Sequence, residues 1–260
     1  MYMNRPLVIA ALLTSGCAIE HEPIAERDVD TVSDLLDALD VERSIALAVD
    51  PETTLQLDQG CRVHPDTGAP FNDQMAPTDI LRWEGPCQLE DGAFLEGSLT
   101  LSPTPDGQVL SAESFSVTAD GETQVMLSGA MELTRIDNLL ELHVSMHACG
   151  AVGISCAGAD DTPTVGLDLD YSVYPMDTFP SAYSVSVSGA VDGDAMFVSV
   201  EGAWQADETL CDAEPVIGSM VLDTLPRQTL TLEGGEQCDG CVGWQVEGID
   251  VAPLCTETAW

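Results

Sequence analysis

From Cys87 onward apolar residues fall on every second position, and this period constrains the fold more than any other feature of the chain. Leu99 and Leu101, Phe115 and Val117, Val125 and Leu127, then Leu140, Leu142, Val144 and Met146 alternate with polar residues. The alternation resumes at Leu167, Leu169, Tyr171 and Val173, at Tyr183, Val185 and Val187, at Met196, Val198 and Val200, and at Leu230 and Leu232. Successive side chains on a strand point to opposite faces, so each segment reads as a strand with one apolar face. Turn signals separate the segments: Asp106-Gly107, Asp120-Gly121, Asp137-Asn138, Asp192-Gly193 and Glu233-Gly234-Gly235. Asx-Gly pairs supply the positive φ that tight hairpins demand. The pattern predicts about ten to twelve antiparallel strands. Their apolar faces need a second layer, which predicts an all-β fold, either an antiparallel meander or sandwich or a strongly twisted sheet folding on itself.

An internal echo accompanies the alternation. Ser128-Gly129-Ala130 and Ser188-Gly189-Ala190 start sixty residues apart, and Gly97-Ser98-Leu99 is echoed by Gly218-Ser219-Met220. Duplication of a β-meander would produce such a pattern.

The region before Cys87 reads differently. Thr31–Asp40 places Val32, Leu35, Leu36 and Leu39 at helical spacing, which predicts one short N-terminal helix. Ile45–Val49 and Thr54–Leu57 read as short strands. Residues 58–86 carry Pro65, Pro70, Pro77 and Pro86 with no periodicity, and read as a loop tied down by Cys61. Such a loop is also a natural place for a binding surface.

The first seventeen residues have a separate logic. Asn4-Arg5 precedes an apolar run from Leu7 to Leu13, followed by Thr14-Ser15-Gly16-Cys17. The run is too short to cross roughly 30 Å of hydrocarbon, so it reads as the h-region of an export signal. The segment resembles the signal peptide and lipobox of bacterial lipoproteins, with Thr14 standing where Leu is commonest. The resemblance implies cleavage before Cys17 and acylation of that cysteine. The expected organisation is a signal peptide over 1–16, a lipidated tether over 17–30, a segment over 31–86 packed on the body, and a β domain over 87–260. Ala18 is not the Asp that marks inner-membrane retention in some bacteria, so the expected place is the cell envelope, anchored at the outer membrane.

Cysteine usage agrees with export. Setting Cys17 aside leaves Cys61, Cys87, Cys149, Cys156, Cys211, Cys238, Cys241 and Cys255, an even set that an oxidising compartment would pair. Proximity suggests Cys61–Cys87 and Cys149–Cys156, and then Cys238–Cys241 with Cys211–Cys255.

Charge bounds the partners. Asp and Glu number 45 against seven basic residues, all of them Arg, for a net charge of −38. Nucleic acid and anionic lipid surfaces would be repelled. Two readings compete: adaptation to high salt, where a short Debye length screens self-repulsion, and convergence of carboxylates on Ca²⁺. No EF-hand loop is present, and the acidic pairs Asp160-Asp161, Asp168/Asp170 and Asp192/Asp194 are short. Salt adaptation predicts a melting temperature that rises substantially between low salt and about 1 M NaCl. An unchanged melting curve would remove that explanation.

The remaining motifs read as structure rather than chemistry. Cys238-Asp-Gly-Cys241 lies between strand-like segments, whereas a redox C-x-x-C needs a helix N-terminus. His143 and His147 sit on one strand face, some 13 Å apart at roughly 3.3 Å per residue, too far to share a metal ion. Gly153-Ile-Ser155-Cys-Ala157 lacks the strand–turn–helix context of a nucleophile elbow. The expectation is a non-enzymatic binding or structural module with no catalytic residue and no cofactor, tethered to a membrane by lipid and meeting a protein or small-molecule partner. A surface hydrolase using two carboxylates and an envelope lipid or lipoprotein carrier are the alternatives.

Overall fold

The computed structural model describes residues 39–71, 79–151, 156, 165–176, 181–193, 196–207, 209, 215–223, 228–232, 241–250 and 254–255. The strands are β1 (Arg62–Val63), β2 (Leu81–Glu84), β3 (Cys87–Gln88), β4 (Phe94–Thr104), β5 (Gly107–Ala119), β6 (Glu122–Ile136), β7 (Leu139–Cys149) and β8 (Val165–Pro175). They continue as β9 (Ala182–Gly193), β10 (Met196–Asp207), β11 (Pro215–Asp223), β12 (Gln228–Leu232), β13 (Cys241–Val246), β14 (Ile249–Asp250) and β15 (Leu254–Cys255). They form a single antiparallel sheet in which β1, β2 and β4 to β14 neighbour one another in chain order, while β3 pairs with β4 and β15 with β13. The all-β meander is thus as the alternation predicts. The count exceeds the expected ten to twelve because β1, β3, β14 and β15 are two-residue strands, too short for a period to show.

Every long strand turns the same alternate residues inward. Leu142, Tyr171 and Val187 lie side by side on β7, β8 and β9, and the row runs on through Gly202, Met220, Leu230 and Trp244. These apolar side chains are buried, and they belong to one continuous cluster that includes Trp83, Leu99, Phe115 and Met131. A single sheet can bury one entire face only by curling so that the face covers itself, or by taking on another layer. Here the other layer, among the described residues, is small.

It consists of the helices α1 (Val41–Val49) and α2 (Pro51–Thr54). Two expectations are corrected at this point: Ile45–Val49 is helical, and Thr54–Leu57 ends α2 and the turn after it. The predicted helix over Thr31–Asp40 falls, but for its last two residues, outside the described residues. The apparent alternation of Ile45-Ala-Leu-Ala-Val49 loses to a longer pattern, since Val41, Ser44, Ile45 and Ala48 fall on one helical face and are buried. Local chemistry fixes both starts. Asp40 caps α1 by accepting from the Arg43 N–H, and Asp50 caps α2 by accepting from the Thr53 N–H ahead of Pro51. Hydrogen bonding to Thr53 holds the Asp50 carboxyl below its ordinary range.

The region read as an irregular loop also contains a strand. Leu81–Glu84 pairs with β4, placing Trp83 opposite Leu99 with no solvent exposure. Four residues between proline-rich stretches are too few for periodicity to reveal. Gly85-Pro86 is a cis peptide bond, and the disulfide Cys61–Cys87 ties this segment to the start of β3. Cys149–Cys156 closes the second expected bridge after β7.

Turn chemistry follows the sequence signals. Asp120-Gly121 links β5 to β6 with φ of 53° and 83°, a two-residue turn with both residues left-handed. Glu247-Gly248 does the same between β13 and β14, with φ of 51° and 75°.

Candidate functional site

The described residues offer an interior, an outer face and a rim, and each must be built from its side chains. The interior is occupied by α1. Glu42 Oε1 accepts from the Tyr183 hydroxyl of β9 at 2.8 Å, and the Ala48 carbonyl accepts from Gln108 Nε2 of β5 at 2.6 Å. Arg43 Nε and Nη2 donate to the carbonyls of Ala151 and Gly150, just past β7, both at 2.9 Å. A helix of nine residues is therefore held from strands four places apart in the sheet, which wraps around it. Sequence reasoning missed this element. Asp40, three residues before Arg43, together with the 41/45/48 spacing, is the signal that could have found it.

Arg43 is the polar fastening of this plug, and hydrogen bonds from a charged donor contribute about 1.5–3 kcal/mol each when partly desolvated. Because both acceptors are exchangeable with water, Arg43→Met is expected to lower stability by about 2 kcal/mol. A shifted urea midpoint at unchanged slope would show it. A midpoint equal to the parent's would mean that the guanidinium does not fasten the helix.

Deeper inside, the Tyr171 hydroxyl and the Trp83 indole N–H are buried without a hydrogen-bond partner among the described residues. Burial pushes the Tyr171 phenol up, and the Asp40 charge adds to the shift. The hydroxyl is thus a neutral phenol within an apolar wall.

The outer face of β6 to β10 is polar and regular. One row across it is Glu132, His143, Asp170, Ser188 and Glu201; the next is Ala130, Ser145, Asp168, Ala190 and Ser199. His143 Nδ1 lies 2.8 Å from Asp170 Oδ1, and both side chains are exposed. His147 lies on the same face, two residues further along than Ser145, over Gly166. The strand placement of the two histidines is as expected. Among the described residues no three His, Cys, Asp or Glu side chains converge on a metal position.

The rim is apolar. Val49, Ile136, Tyr174, Met176 and Ile217 are each about half exposed, and the registers place them at the same end of the curled sheet. Asp40, near the first described residue, lies close enough to Tyr171 for its charge to act on the phenol.

Several expected site residues fall outside the described residues: Cys17, Ser155, Asp160, Asp161, Asp194, Cys211 and Cys238. Cys241 and Cys255 are described in their backbone, as register partners of β13 and β15. No helix among the described residues is long and apolar enough to cross a membrane. Comparison with protein families, with curated proteins and with solved structures gave no match.

Proposed function

We propose that the chain is an envelope lipoprotein, anchored through acylated Cys17 at the outer membrane, whose β domain is a non-enzymatic binding or structural module. The observation that supports this reading best is the filled interior. α1 lies across the inner face, with Val41, Ile45, Leu47 and Ala48 buried against strands whose own side chains are close to fully covered. A packed interior of this kind leaves a partner two surfaces, the polar outer face of β6 to β10 and the apolar rim. Flat rows of Ser, Asp, Glu and His suit a polar or cationic partner, while dispersed negative charge turns away nucleic acid and anionic lipid.

The buried side chains of α1 favour this reading over a lipid carrier, which needs a void to hold an acyl chain. The experiment is titration of the purified Cys17→Ser chain with N-phenyl-1-naphthylamine, an uncharged apolar probe. The module reading expects no saturable fluorescence gain up to tens of micromolar probe. Saturable binding at one site per chain would overturn it in favour of a carrier.

A further inference from the structure

Among the described residues, the segment around Cys255 is paired to the sheet over a short stretch. β15 has two residues, and its pairing with β13 consists of Cys241 opposite Cys255 and Val242 opposite Leu254. β14 lies before it along β13, pairing Gln245 with Asp250 and Val246 with Ile249. The partner numbers in β14 sum to 495 and those in β15 to 496, so β15 resumes pairing along β13 after one extra residue. Two opposed residues cannot by themselves hold a chain end to a sheet edge, since isolated short pairings are marginal in water. The position of the two cysteines supplies what is missing.

We propose that Cys241 and Cys255 form a cross-strand disulfide that staples the C-terminal segment to β13. Directly opposed residues of an antiparallel pair have Cα atoms about 4.5–5.5 Å apart and stand on the same face of the sheet. A disulfide spans Cα separations of about 4.4–6.8 Å, so the register alone brings the pair into bonding range. The spacing of Cys238 and Cys241 had suggested that those two bond to each other, with Cys211 to Cys255. The register instead gives Cys241 a partner across the strand pair and leaves Cys211 and Cys238 to one another.

The chemistry is two thiols losing two protons and two electrons as the S–S bond forms. A disulfide-bearing oxidant takes the electrons by thiol–disulfide exchange and leaves as its dithiol.

The test is peptide mapping of the full chain purified from the envelope, with free thiols alkylated and no reductant. Cleavage before aspartate separates all four C-terminal cysteines. Cuts at Asp207, Asp212, Asp223, Asp239 and Asp250 place Cys211 in 207–211, Cys238 in 223–238, Cys241 in 239–249 and Cys255 in 250–260. The proposal expects 239–249 to be recovered joined to 250–260, and Cys241→Ser to leave an alkylatable thiol at Cys255. Recovery of 239–249 joined to any other peptide, or alkylated at Cys241 in the parent chain, would overturn it.

Discussion

Replacing Gly189 or Gly129 by alanine is expected to destabilise the domain far more than the same change at Gly243, a described strand glycine of ordinary φ. Both residues sit in mid-strand on the inward alternation, with φ of 145° and 130°, values an L side chain rarely adopts. A Cβ on Gly189 would stand 2.1 Å from the Asp168 carbonyl oxygen, and one on Gly129 would stand 2.3 Å from that of Ser145. Both obstacles are backbone atoms of a paired strand, so no side chain can move aside. The strain and the displaced pairing together should cost on the order of 3 kcal/mol, a large share of the 5–15 kcal/mol that stabilises a typical domain. Gly243 is the control. Its φ is ordinary, its Cβ position lies 3.5 Å from Thr231, and Gly243→Ala should shift stability by less than about 0.5 kcal/mol. Urea unfolding of the three variants checks the ordering. Equal midpoints for Gly189→Ala and Gly243→Ala would show that the curl does not depend on these glycines.

The same pair carries the Ser-Gly-Ala echo. Gly129 of β6 is crowded by β7 and Gly189 of β9 by β8. Each is a place where the strand bends without a Cβ.

How far the sequence reveals this molecule depends on the length of its elements. Strands of eleven to fifteen residues declare themselves, because Leu140 to Ala148 or Leu167 to Val173 repeat the alternation often enough to leave no rival period, whereas the nine-residue β11 shows only its Gly218-Ser219-Met220 echo. Both described disulfides follow from proximity in sequence. Short elements do not declare themselves. Ile45–Val49 alternates as well as any strand, and only the cap at Asp40 and the preceding Val41 show that it belongs to a helix. Leu81–Glu84 is four residues long, and its Trp83 is buried by pairing with Leu99 of β4, a partner sixteen residues away that no local pattern encodes. The outer-face rows were invisible for the same reason: each strand shows its polar positions, but only the register aligns His143 with Asp170 and Glu132.

The second large effect concerns the membrane rather than the fold. In the proposed account the strong hold on the bilayer is lipid on Cys17, because the acidic domain would be repelled by an anionic lipid surface. Each buried methylene contributes about 0.8 kcal/mol, one chain gives marginal binding, and two or more give a stable anchor. Removing the sulfur should therefore abolish anchoring outright instead of weakening it. In the proposed account the β domain keeps its fold when Cys17 is replaced.

The most direct measurement is intact mass and fractionation of the parent and Cys17→Ser chains expressed in an exporting bacterial host. The account predicts a parent protein that begins at Cys17, carries covalent acyl mass and sediments with membranes. It predicts a Cys17→Ser protein with no acyl mass, released from membranes, and with the parent's circular dichroism and melting curve. A Cys17→Ser chain that still carries lipid, or a parent chain of bare polypeptide mass, would contradict it.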